Sequence, residues 1–96
     1  MAALNKFDIV ETRGRLALVV ESELLPPDRT VVVIPLLQGY PTIKWLNPEI
    51  YVDREPYTLV TRLIGSVGTS TLTVIGSAKA QGDEIARALD MLFYGF

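Results

Sequence analysis

The chain has 96 residues, no cysteine, no histidine and a formal net charge of −2. That length suits one domain over residues 1–96, large enough to bury a core without staples. The missing Cys and His remove disulfides, thiolate and imidazole metal sites and the usual general base near neutral pH, and the acidic balance removes the basic footprint of a nucleic-acid binder.

No cofactor is expected. The opening MAALNKFDIVE has no apolar segment behind a basic start, and no apolar run reaches the ~18–20 residues that cross a bilayer. A cytoplasmic chain without membrane contact is therefore the expectation.

Residues 7–11 (FDIVE) and 15–21 (RLALVVE) flank Thr12, Arg13 and Gly14, which reads as a hairpin. Leu24, Leu25, Pro26, Pro27 and Asp28 must form a loop, because two prolines cannot feed a ladder. Residues 30–34 (TVVVI) are β-branched throughout, the pattern of a strand buried on both faces, with Pro35 expected to end it. Residues 36–48 show no steady period and carry Gly39, Pro41 and Pro48, so they read as an irregular arm with one short strand at most. Residues 49–53 (EIYVD) and 57–62 (YTLVTR) flank a turn at Arg54, Glu55 and Pro56. Residues 65–70 read as flexible, and 71–75 (TLTVI) as a last strand closed by Gly76.

Beyond Gly76 the period changes. Ile85, Leu89, Leu92 and Phe93 fall at i, i+4, i+7 and i+8, the stripe of a helix packed on a core. Ser77 caps it in a long register, or Gly82 with Asp83 and Glu84 in a shorter one. Six short strands and a terminal helix make the chain mainly β, an antiparallel barrel or rolled sheet with a docked helix.

The last residues, ALDMLFYGF, carry three aromatics and no charged tail. At 100° per residue Tyr94 lies about 180° from Ile85, off the core stripe and on the face of Arg87, Asp90 and Met91. Gly95 suits the left-handed position after a helix, with Phe96 folding back on Met91. That accounts for Gly95 and Phe96 and leaves Tyr94 facing outward. Two readings stand, a structural terminus and a tip that contacts a partner.

Arg15 and Leu16 with the apolar alternation after them, Val33-Ile34-Pro35-Leu36, Thr73-Val74-Ile75-Gly76 and the ending Leu92-Phe93-Tyr94-Gly95-Phe96 resemble the CcdB family of bacterial toxins. The similarity runs over nearly the whole chain. It implies a homodimeric, SH3-like barrel of antiparallel strands with one C-terminal helix. It further implies a toxin, not an enzyme, that wedges into the DNA gyrase A subunit and traps the cleaved-DNA intermediate. A cognate, CcdA-like antitoxin would neutralise it through a segment that is disordered until bound. Carried over by position, the gyrase-contacting tip lands on Tyr94, Gly95 and Phe96, with Asp90 and Phe93 one turn earlier and Leu24 and Leu25 as an apolar loop pair. Phe93, being on the stripe, is read as core packing that positions the tip. Leu24 and Leu25 are either a partner contact or a lid tucked on the barrel. The chain has Tyr94 where the family has Trp, Phe96 in place of a smaller aliphatic residue, and Asp90 in place of Asn.

Two other classes compete. Ribonuclease toxins of the MazF/Kid type share the fold, but they carry a basic RNA surface and an early Arg-Gly-Asp, whereas this chain has Arg13-Gly14-Arg15. A nontoxic interaction module of the same fold is the other. The acidic pairs Glu21/Glu23, Asp53/Glu55 and Asp83/Glu84 read as surface charge, and Trp45 as packing of the arm.

Overall fold

Seven antiparallel strands and one terminal helix make up the described residues, 4–95, of the computed structural model. The strands are β1 (Asp8–Thr12), β2 (Arg15–Val19), β3 (Thr30–Leu37), β4 (Glu49–Val52), β5 (Glu55–Leu59), β6 (Gly65–Gly68) and β7 (Thr73–Ser77). They form one curled half-barrel sheet in the order β4-β5-β3-β2-β1-β7, with β6 also paired to β3. The helix α1 is Gly82–Tyr94. The expected mainly β architecture with its C-terminal helix is thus observed.

Both hairpins close through two-residue turns with positive φ at each central residue, 52° and 77° at Arg13 and Gly14 and 50° and 69° at Asp53 and Arg54. This backbone twist matches the twist of the flanking strands. The second hairpin corrects the reading of residues 54–56 as a turn, because Pro56 lies inside β5 opposite Tyr51. Next to the closing pair Val52 and Glu55, that position makes no ladder bond to β4, so the missing N–H costs nothing there.

Pro35 does not end β3 either. It pairs with Ala17 of β2, and its carbonyl accepts the Val60 N–H at 3.1 Å on the opposite edge. On that edge Thr30, Val31, Val32 and Val33 pair with β6, whereas Leu36 and Leu37 pair with β5. A residue's N–H and C=O point to the same side, so the absent donor falls where the strand changes partner. Residues 65–68, expected to be flexible, are β6. The seventh strand was illegible because two glycines and a serine carry no β signal, and pairing with β3 supplies the order.

The sheet buries both faces, as the TVVVI run implies. Ile9, Leu18, Ile34, Leu36, Ile50 and Leu59 build the larger core on the concave side. Val10, Val19, Val31 and Val33 build a smaller one on the other face. The alternation is strict, since successive side chains on a strand point to opposite faces.

Helix α1 takes the shorter register, with Asp83 and Glu84 in its first turn, where carboxylates suit the helix dipole. A Cβ on Gly82 would stand 3.0 Å from the Phe7 ring, so a side chain there would push the ring by a few tenths of an ångström. Gln81, just before the helix, is bonded to β4 instead of capping. Its Nε2 donates to the Glu49 carbonyl at 2.9 Å, and its Oε1 accepts the Tyr51 N–H at 3.4 Å. The amide stands in for a neighbouring strand on that edge.

The arm between β3 and β4 has an isolated bridge between Ile43 and Asn47 but no strand. It is pinned from beneath. Thr61, fully buried in the 3-10 turn Thr61–Leu63, donates its hydroxyl to the Leu46 carbonyl, and its N–H reaches Asn47 Oδ1 at 3.2 Å. The Thr58 hydroxyl donates to the Tyr40 carbonyl. Trp45, at φ 70°, is held in a left-handed conformation that costs a non-glycine residue about 1–2 kcal/mol. Its ring is 46% exposed and carries the Arg87 guanidinium at 4.5 Å and the Lys44 ammonium at 5.0 Å from its centroid. The expectation of plain packing is corrected to a half-exposed ring stacked with cations, contacts worth about 0.5–1 kcal/mol each at such exposure.

Thr61→Val keeps the shape but leaves the Leu46 carbonyl without its donor, so urea unfolding should show a loss of about 1–3 kcal/mol. Arg87→Ala should lower stability by less than about 1 kcal/mol while changing the emission of Trp45, the chain's single tryptophan.

Candidate functional site

The candidate site is the last turn and a half of α1. Ile85 and Ala88 are fully buried, and Leu89 packs against the larger core. These residues anchor the first half of the helix on the concave sheet and the Thr61–Leu63 turn. Ala88, which the periodic stripe omitted, lets the helix approach closely because its side chain is short.

Past Leu92 the support ends. Phe93 is 62% exposed, which corrects the expectation that it packs in the core. The i, i+8 spacing puts it on the right angular sector, but the helix has by then run beyond the sheet. Tyr94 is 69% exposed, on the face shared with the exposed Asp90 four residues earlier. Gly95 has φ 78°, and its N–H donates to the Met91 carbonyl at 3.0 Å, ending the helix in the left-handed conformation expected. Phe96, the last predicted contact, lies outside the described residues.

Helical spacing therefore brings Asp90, Phe93, Tyr94 and Gly95 together at one end. Leu24 and Leu25 belong to a different element, the loop between β2 and β3. There Leu24 is 92% and Leu25 55% exposed, so Leu24 is not a lid tucked on the barrel. The loop is ordered by its own turn, with the Leu25 N–H on the Ser22 carbonyl at 3.1 Å and the Leu24 N–H on the Ser22 hydroxyl at 3.2 Å.

An isolated exposed Leu or Phe is ordinary on any protein, whereas here two consecutive aromatics at one helix end are both mostly in water. Among the described residues no group of three or more His, Cys, Asp or Glu side chains is placed to hold a metal ion. No helix among them is long and apolar enough to cross a membrane.

Comparison with known proteins bears on what the patch serves. No curated protein matches the chain. The family model described as CcdB protein matches residues 6–95, nearly the full length, and includes the hairpins, the half-barrel, α1 and the tip as far as Gly95. Membership at that coverage supports a toxin of the toxin–antitoxin type. The chain belongs to the CcdB protein family.

Proposed function

We propose that this protein is the toxin of a toxin–antitoxin pair that binds the DNA gyrase A subunit and traps the gyrase-cleaved DNA complex. The observation that carries the reading is the terminal turn of α1, where Phe93 and Tyr94 stand exposed on a helix that Ile85 and Ala88 seat in the core. The family match over residues 6–95 supports it. In this reading residues 1–96 act as one unit, as a homodimer in the cytoplasm, and a CcdA-like antitoxin neutralises them. The protein works by binding, not by catalysis.

Each contact has a physical role. Tyr94 offers a ring face to a cationic side chain of gyrase, worth about 0.5–2 kcal/mol depending on how far water is excluded. Gly95, with no Cβ, lets a partner backbone approach, and Phe96 fills an apolar pocket. Phe93 contributes apolar area beside the ring, so its role shifts from positioning to contact. Leu24 and Leu25 add a second apolar patch. Asp90 lies on the same face as Tyr94, and taking its carboxylate out of water in a contact shaped for an Asn amide makes its charge the feature least suited to the site.

Expressed in bacteria, the intact chain should arrest growth and accumulate gyrase-cleaved DNA, while a chain ending at Phe93 should do neither and still fold. A harmless intact chain with no cleavage complex would overturn the toxin reading. Tyr94→Ala should weaken gyrase A binding roughly two- to thirty-fold, measured by calorimetry, with the chain still folded. Tyr94→Trp and Asp90→Asn should each strengthen that binding by a few-fold.

A further inference from the structure

Beneath the loop that carries Leu24 and Leu25 is a pocket of about 140 Å³, separate from the helix tip. Its apolar lining is the buried Val19 and Val31 of the smaller core with Leu4, Leu25 and Pro27. Its rim carries three carboxylates, Glu21, Glu23 and Asp28, and no Lys or Arg lines it. Arg29 follows Asp28 in the chain but is not part of the wall. We infer that this pocket receives a Lys or Arg side chain presented by a partner polypeptide.

Size, lining and rim each restrict the occupant. A cavity of about 150 Å³ lined by aliphatic groups accommodates one benzene, so this pocket takes the stem of one side chain. An aliphatic stem suits the apolar lining, and a cationic head would then lie level with the rim, as Lys and Arg side chains do when their stems are buried and their charges kept wet. A wholly apolar side chain would leave the carboxylates without any gain, and an acidic one would be repelled by all three.

The carboxylates are available. Glu21 and Glu23 make no hydrogen bond or ion pair among the described residues, and Asp28 uses Oδ1 for the Arg29 N–H at 2.7 Å. The pocket is also preformed. Pro26 and Pro27 stiffen the loop, and Thr69 of the neighbouring turn ties it down. The Thr69 hydroxyl lies 3.3 Å from the Asp28 carbonyl and 3.2 Å from that of Arg29, and the Thr69 N–H donates to Arg29 at 2.9 Å. Little ordering is left for an incoming group to impose. Leu24, next to the rim in the chain and 92% exposed, would cover the apolar part of the same partner segment.

The test uses the full chain and two small probes, n-butylguanidinium and its neutral isostere n-butylurea, followed by amide chemical shifts. The guanidinium should move the signals of Leu25, Val31 and Thr69 with a Kd of about 1–10 mM, as its few heavy atoms permit, and added salt should weaken it. The urea should bind at least about tenfold more weakly. Combined Glu21→Gln, Glu23→Gln and Asp28→Asn should cost the guanidinium about fivefold or more, and Glu23→Gln alone, at an exposed position, about twofold. Tyr94→Ala should change nothing, which separates this site from the helix tip. Equal binding of the two probes, no shifts at these residues, or undiminished binding by the folded Glu23→Gln and combined variants would overturn the assignment. So would shifts at these residues that appear on concentrating the protein alone, since they would give the pocket to a second copy of the chain.

Discussion

The structure depends on β3, which holds three strands at once. One edge pairs with β2 over Val33 to Leu36, while the other is divided between β6 and β5. Pro35 stands where that edge changes partner, and there only its carbonyl is used, by the Val60 N–H at 3.1 Å, so the missing donor is not needed. Pairing with two strands that diverge from one edge is what curls the sheet into a half-barrel. The curl gives the larger core its concave wall and leaves the smaller, valine-lined face outside.

From that wall follows the exposure of the tip. Helix α1 is seated by Ile85, Ala88 and Leu89, all in its first two turns, and the concave surface is too short to carry the rest. Leaving Phe93 mostly in water forgoes about 1–2 kcal/mol of the burial a core position would give. A chain that needed only a stable terminus would gain by placing a polar residue there. The proposed partner contact would recover that burial for both aromatics.

The same sheet organises two other surfaces. The Trp45 arm is fastened by buried Thr61 and Asn47, and its strained backbone is offset by the stack on Arg87, a contact that also ties the arm to α1. The loop after β2 stands over the outer valine cluster, and Leu24 on it is 92% exposed. The helix end and this loop therefore rest on opposite cores.

What the sequence by itself determined was whatever rests on local chemistry. It includes the two hairpins, the doubly buried TVVVI strand, the helix and its left-handed glycine stop, and the outward angle of Tyr94. What only the tertiary structure decided was whatever depends on a neighbour far along the chain. Pro35 and Pro56 read as stops, because the tolerance of a missing N–H depends on which edge is unpaired. Gly65 to Gly68 read as flexible, because β6 owes its order to β3 and not to its own residues. Phe93 read as core, because periodicity gives an angle around the helix axis but not the point at which the sheet beneath it ends. The Arg87–Trp45 stack and the acid-rimmed pocket left no local trace, since both join residues dozens of positions apart that only the folded curl of the sheet brings together.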